Sequence, residues 1–538
     1  MVALGCVVAD NGKFPAGQPV DVIVIGTGAG GGNVIRELCL HGVQVVALEA
    51  GERFEPERDF INDELTMFNR LSSNDVIIPH GDSVGAYPVW ACKTVGGSTV
   101  HWTGVSLRAR EYELRARTTY GEVAGTSLVD WPLGVDELAP FYDMAEKYLG
   151  VTGRIQPLQI PNANYQAIKC GTDALGLNLR PTNVGLNPQG PYDGRAGCTQ
   201  RGHCMQGCSN GAMWSTLTEA IPKAEKTGWL DLRTGCQALS INLDDGGRAH
   251  SVTYARADGT LEEQQASIIV VAGNAVNTPR LLLNSRSAAA PNGLANSSGQ
   301  VGKNFMCHVT GTAFAVMPFD VHAYKGIVTT GLVDDFSGNE PEARGYVGGY
   351  NFVTVAMGMA TLSIFAQPGS LIGKPGSRGN WGRPLVDLME NYPRLAGIHF
   401  VGEDMPVPGN GVSLHPTLKD AFGMPLSVLT YNDHPNNKLM REHAWQRAEE
   451  IFIAAGAESV LRVPPFPDTH LMGTCRMGND PKTSVVDRWG RTHDVENLFI
   501  ADGSVFPTAT AENPSLTIAA LAIRQAHHIM EKMAESHA

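Results

Sequence analysis

The chain has 538 residues, 43% hydrophobic and 18% charged. That is apolar material for a packed core of roughly three to four domain-sized units, and it excludes wholesale disorder. Its net charge of −13, from 41 Lys and Arg against 54 Asp and Glu, argues against a nucleic-acid or anionic-membrane surface, and no apolar run approaches the roughly 18–20 residues of a membrane span.

Residues 1–18 read as a loose leader. Its short apolar stretch has no Lys or Arg before it, unlike a secretory signal. Residues 21–25 (DVIVI) form a continuous apolar run, the pattern of a buried parallel strand. A glycine-rich turn follows at 26–32, then a helix at 33–41 and a second buried strand at 43–48, closed by Glu49. This is one βαβ unit within about 30 residues. Residues 266–272 and 497–501 add two more buried strands, and 514–535 read as a long final helix behind Pro514. Residues 311–365 and 398–432 alternate and are rich in Gly and β-branched residues, which predicts an antiparallel sheet; 366–397 reads as a loop. Nucleotide-type signals at both ends of the chain imply one α/β domain interrupted by insertions, with a second domain built on the antiparallel sheet.

Gly26-Thr27-Gly28-Ala29-Gly30-Gly31 fits G-x-G-x-x-G between a strand and a helix. The first glycine permits the tight turn, the second lets backbone approach a pyrophosphate, and the third lets the helix pack on the strand. The helix N-terminus then stabilises the phosphate charge. Glu49 can accept hydrogen bonds from ribose hydroxyls and disfavours a 2′-phosphate, so NADP is not expected. The motif alone leaves FAD and NAD open.

Glu49-Ala50-Gly51, Val95-Gly96-Gly97-Ser98-Thr99, His470-Leu471-Met472-Gly473-Thr474, Ala501-Asp502-Gly503-Ser504 and Asn513-Pro514-Ser515-Leu516-Thr517 follow one another in a set order. Together they resemble the glucose–methanol–choline (GMC) family of FAD oxidoreductases, over nearly the whole chain. Thr278 to Leu282 with Ser285 resembles the family's second signature, departing from it at Arg286. His101-Trp102-Thr103 and residues 470–478 resemble pyranose oxidases. Residues 295–308 and a cysteine cluster resemble the catalytic subunit of bacterial FAD-dependent glucose, fructose and glucoside dehydrogenases.

The resemblance implies FAD, with Gly26, Gly28, Gly31 and Glu49 holding the ADP half. Gly96, Gly97 and Ser98 would approach the flavin or pyrophosphate through backbone; Asp502 and Gly503 would lie along the pyrophosphate and ribityl chain. His101 matches the position where pyranose oxidases attach flavin covalently. The dehydrogenase branch has a histidine there without the bond, and both readings stand open. His470 matches the family's active-site base and Asn513 its partner. An imidazole suits the task because it is neutral yet basic near pH 7. Asn513 also reads as the N-cap of the final helix, and His308 as a weaker substrate-pocket candidate or a core residue.

Cys198, Cys204 and Cys208 fall within eleven residues of a Gly-rich loop. By resemblance they would hold a 3Fe–4S cluster relaying electrons to a cytochrome. Zinc held with His203, or a disulfide plus a thiol, are the competing readings. The other seven cysteines read as reduced core thiols.

The expected architecture is a FAD-binding domain from 1–110, 190–310 and 465–538, a cap or connecting segment at 111–189, and a substrate domain at 311–464. The activity implied is oxidation of a sugar or glycoside hydroxyl to a keto or lactone product, with hydride passing to flavin N5. Electrons would leave to a carrier, with a small partner subunit. An oxygen-using oxidase without a cluster, or a flavoprotein subunit serving only electron transfer or assembly, are the alternatives. The compartment is open between the cytoplasm and export in company with a partner.

Overall fold

The computed structural model describes residues 13–15, 18–72, 75–82, 90–356, 382–463 and 469–537. Most of the expected leader and the first half of the expected 366–397 loop lie outside the described residues.

Strands Leu230–Arg233, Val45–Leu48, Val20–Ile25 and Leu261–Val271 lie side by side and parallel, and Leu498–Ile500 joins the last of them. Val22, Ile23 and Val24 are fully buried, which is why this strand reads as an unbroken apolar run rather than an alternating one. Leu261–Val271 changes partners along its length. Its polar first half pairs antiparallel with Ala249–Ala255, which in turn pairs with Gln237–Leu243. Its apolar second half runs between Val20–Ile25 and Leu498–Ile500. Sequence patterning finds only that second half.

The first helix begins at Ala29, earlier than expected, and runs to Leu40. Gly30, Gly31 and Gly32 therefore lie inside the helix rather than in the turn. Packing demands them there: a Cβ on Gly30 would sit 1.6 Å from the Ala501 carbonyl oxygen, and one on Gly31 2.0 Å from that of Gly26. The turn itself needs Gly26, whose φ is +96°. The helix packs against Ala220–Thr227 and the final helix, Ser515–His537.

The single antiparallel sheet expected between these signals is two sheets. One runs Ser459–Val463, Val309–Val316, Leu395–Gly402, Tyr350–Thr354, Gly331–Val333 and Arg180–Pro181, every pair antiparallel. The other runs Met472–Thr474, Lys303–Met306, Gly411–Lys419, Pro425–Tyr431 and Ile77–Gly81, the last pair parallel. The chain leaves the first sheet at Glu403-Asp404. Their buried carboxylates accept from the Gly349 and Cys307 main-chain N–H groups, both at 2.9 Å, and Pro406 and Pro408 then prevent continued pairing. Helix Pro435–Ala454 covers the six-stranded sheet with Met440, Ala444, Ala448, Ile451 and Phe452. Within the expected loop, Arg383–Glu390 is a helix and Leu395 opens a strand; averaging over a Gly- and Pro-rich stretch hid both. Among the described residues no helix is long and apolar enough to cross a membrane.

Candidate active site

One cavity of about 380 Å³ runs from the Gly26–Gly28 turn, between the nucleotide-type sheet and the six-stranded sheet, to His470. Gly26, Gly28, Glu49, Gly97, Ser98, His101, Asp502 and Gly503 line it. Gly31 and Gly96 act one step back. Gly31 seats the helix on the turn, and the Gly96 N–H donates to the Thr27 hydroxyl at 3.0 Å, locking the 96–98 turn to the glycine-rich one.

Glu49 is buried and accepts from Thr27 Oγ1 at 2.6 Å, Thr27 N at 3.2 Å and Gly51 N at 3.0 Å. Burial raises its pKa, and the Thr27 and Gly51 bonds oppose that. Asp502 faces the cavity, yet its oxygens are committed inside the protein, to Asn274 N at 2.9 Å, Thr278 Oγ1 at 2.5 Å and Ser504 N at 2.8 Å. It ties the last strand to the start of helix Asn274–Asn284.

At the far end, Asn513 Nδ2 donates to His470 Nε2 at 3.2 Å. His470 has φ +59°, a left-handed conformation that costs a non-glycine residue about 1–2 kcal/mol. His308 Nδ1 lies 2.8 Å from His470 Nδ1, with the rings edge-on. His399 also lines the cavity, its Nδ1 2.8 Å from Thr312 Oγ1 on the neighbouring strand. Sequence reasoning missed His399. Its signal was an imidazole in an otherwise apolar strand (AGIHFVG). Burial is the first cause of every shift here. It lowers His470 to about 3, with His399 adding, and His399 and His101 each to about 4. His308 is lowered well below its ordinary value by burial and then by His470. All four imidazoles are therefore neutral near pH 7 and able to accept a proton.

The loop carrying Asn513 is anchored by buried acids. Glu113 accepts from the Ala511 N–H at 2.8 Å, Asn351 Nδ2 donates to the Ala511 carbonyl at 3.1 Å, and Arg110 lies 3.3 Å from Glu512. Tyr120 donates to Glu403 at 2.6 Å. Burial, then the charge of Glu113, pushes Glu512 well above the usual carboxylate range, so it keeps its proton. The folded chain thus holds a proton that the unfolded chain releases. The cost is absent below the ordinary carboxyl value and grows as pH rises above it. The melting temperature should fall between about pH 5 and 8, and Glu512→Gln, neutral at every pH, should flatten that fall in a thermal-melt series. An unchanged slope would show that Glu512 ionises freely.

Cys198, Cys204 and Cys208 come together on the expected loop, but not as a metal site. They pack in an apolar cluster with Met213, Ile327 and Val328. Gln200 N donates to Cys198 Sγ at 3.3 Å and Met213 N to Cys208 Sγ at 3.4 Å, while the Cys208 thiol donates to Asn210 Oδ1 at 3.1 Å. Burial pushes the Cys204 thiol up to about 12. His203 Nδ1 is 2.8 Å from Gln206 Oε1. Among the described residues no cysteine is bridged, and no three His, Cys, Asp or Glu side chains converge on a point that could hold a metal ion. As arranged, the loop fits neither the iron–sulfur nor the zinc reading, nor a disulfide.

The cavity does fit a dinucleotide with a ring system at its far end. A Cβ on Gly26 would meet the Ala272 carbonyl oxygen at 2.4 Å, and one on Gly97 would meet Gly28 Cα at 2.9 Å, so backbone alone lines the cradle. Both ring nitrogens of His101 are buried there without a hydrogen-bond partner, with the Trp90 ring 5.0 Å away.

Two sequence models of the GMC oxidoreductases match the chain, one over residues 20–310 and the other over 406–522. The 2-methyl-1,2-propanediol dehydrogenase of Mycolicibacterium austroafricanum is 31% identical, over 96% of each protein. The fructose dehydrogenase large subunit of Gluconobacter japonicus is 30% identical, over 95% of this chain and 98% of that one. The fold is shared with pyridoxine 4-oxidase from Mesorbium loti, at 17% identity and a TM-score of 0.63 over 95% of this chain and 99% of that one. A FAD-binding Rossmann-like domain, a second sheet-based domain and an active-site cavity between them place the chain in one family: it is a GMC oxidoreductase.

Proposed function

We propose that this enzyme is a FAD-dependent dehydrogenase that oxidises a CH–OH group of a sugar, glycoside or similar small polyol. The observation that carries the reading is the His470–Asn513 pair at 3.2 Å, at the end of the cavity that begins at the Gly26–Gly28 cradle. FAD, when bound, supplies the hydride acceptor. Gly26, Gly28, Gly97, Ser98 and Gly503 would hold it through backbone, Glu49 would accept from its ribose, and Asp502 would fix the wall beside it. His470 Nε2 takes the hydroxyl proton. The Asn513 amide donates to the substrate oxygen as negative charge develops there, and His399 Nε2 is placed to meet a second hydroxyl. His101 is read as packing against the ring system without a covalent bond.

The names of both curated relatives support dehydrogenation, and "large subunit" in one of them supports a partner subunit and an external carrier here. Met205, beside Cys204, lines the cavity, so the cysteine loop lies on a route out of it. No step is assigned to a cluster, because the thiols as arranged do not make one. That arrangement also favours a second reading, an oxygen-using alcohol oxidase.

One set of measurements decides. Purified protein should be yellow, and its flavin should bleach anaerobically with a polyol from a panel containing D-fructose, D-glucose and 2-methyl-1,2-propanediol. Slow reoxidation by air without stoichiometric peroxide selects the dehydrogenase. Fast reoxidation with peroxide selects the oxidase. Iron analysis on the same sample decides the relay, and colour retained after denaturation would overturn the non-covalent reading of His101. Colourless protein that takes up no flavin rejects the function outright.

A further inference from the structure

The strand pairing that builds the reacting end also brings a second imidazole against the first. In the antiparallel pair of Met472–Thr474 with Lys303–Met306, Met472 stands opposite Met306. Two residues outward along each strand are His470 and His308, and their Nδ1 atoms are 2.8 Å apart. Two nitrogens at that distance share one proton: one ring donates and the other accepts. The far nitrogen of His470 resolves which. Nε2 receives the Asn513 Nδ2–H at 3.2 Å, so it carries a lone pair, and the single proton of neutral His470 sits on Nδ1. His308 is therefore the acceptor.

We propose that His308 is a positioning residue that fixes the tautomer and aim of His470, holding the Nδ1 proton so that Nε2 presents its lone pair to the substrate hydroxyl. This rests on the reading of His470 as the base. His308 does not itself reach the reacting atoms; it acts through His470, as an orienting group behind a general base. Several features hold it in place. Its side chain is buried. The neighbouring Cys307 N–H donates to the buried Asp404 carboxylate at 2.9 Å, and Asp404 is held in turn by Asn437 Nδ2 at 2.6 Å. The Thr510 main chain, three residues before Asn513, lies beside the His308 ring and favours a proton on it. The contact also holds His470 in its left-handed backbone conformation. When the hydroxyl proton reaches Nε2, the Nδ1–H···Nδ1 bond becomes charge-assisted and strengthens.

The test begins without substrate. In holoenzyme carrying ¹⁵N-imidazole histidine, the His470 signals are those lost in His470→Ala. The expected wild-type pattern is Nδ1–H with Nε2 unprotonated. His308→Leu should lose that pattern. His308→Asn, whose carbonyl oxygen can accept near the place of Nδ1, should keep it. With any alcohol that bleaches the wild type, His308→Leu should lower kcat about 10–100-fold with KM changed less than about twofold, and His308→Asn should recover most of the rate. A wild-type His470 protonated at Nε2 overturns the proposal, whether or not the leucine variant folds. So does a leucine variant with bound FAD and unchanged kcat, or an asparagine variant as slow as the leucine one. If His470→Ala turns over normally, the base assignment falls instead, while the tautomer measurement still decides the role of His308.

Discussion

His470→Ala should lower the rate of anaerobic flavin reduction by about 10²–10⁴-fold while leaving flavin content and melting temperature near wild type. The imidazole stands at the end of the cavity, partly open to it, and its removal deletes no part of the cradle formed by Gly26, Gly28 and Gly97. Loss of the ring also frees residue 470 from a contact that holds a left-handed backbone, so stability should not suffer greatly. Stopped-flow bleaching of the 450 nm band, flagged here as roughly the usual flavin maximum, is the measurement. Because burial lowers His470 to about 3, the base stays unprotonated well into acid. The acid limb of kcat/KM should therefore lie below the ordinary imidazole value of about 6.5. Bleaching at an unchanged rate in the alanine variant would remove His470 from the chemistry. Asn513→Ala should be milder, since it removes a donor to the developing charge but leaves the base in place.

Gly31→Val should abolish flavin binding altogether. Even the first carbon of the new side chain would fall 2.0 Å from the Gly26 carbonyl oxygen and 3.0 Å from Ala272 Cβ. Neither neighbour can retreat, for Gly26 is bonded through its N–H to Leu48 and Ala272 through its N–H to Ile25. The helix must lift off the strand, which carries its N-terminal N–H groups away from the phosphates they are meant to meet. Colourless protein with a depressed melting temperature is the expected result. Gly28→Ala is the contrasting case. Its Cβ meets nothing closer than Gly97 Cα at 3.9 Å, and its φ of −67° suits alanine. That variant should fold normally and bind FAD more weakly, because the methyl group occupies cavity space. Tight flavin binding in Gly31→Val would mean that the turn is not where the dinucleotide sits.

The βαβ unit, Glu49 and the strands near both chain ends are legible because buried parallel strands require unbroken apolar runs and the turn requires glycine at fixed places. The resemblance adds His470 and Asn513, which neither periodicity nor spacing singles out. The contact of His308 with His470 is not legible, since it depends on strands of three and four residues lying far apart in the chain. Alternation in the Leu395–Gly402 strand does not say which face looks into the cavity, so His399 passes as one more strand residue. Glu113, Glu403 and Glu512 read as surface charges, because their burial follows from three distant segments closing on Arg110. The cysteine spacing is visible, but spacing does not give the direction in which a thiol points.

One topological detail bears on how the protein is made. The strand at the core of the nucleotide-type sheet, Leu261–Val271, takes one neighbour from Val20–Ile25 and another from Leu498–Ile500. A chain emerging from the ribosome must keep its first strands waiting until nearly its last residues appear. Prosthetic-group loading is then a late event in biogenesis, and a prematurely terminated product should neither colour nor compete with finished enzyme for the vitamin-derived group.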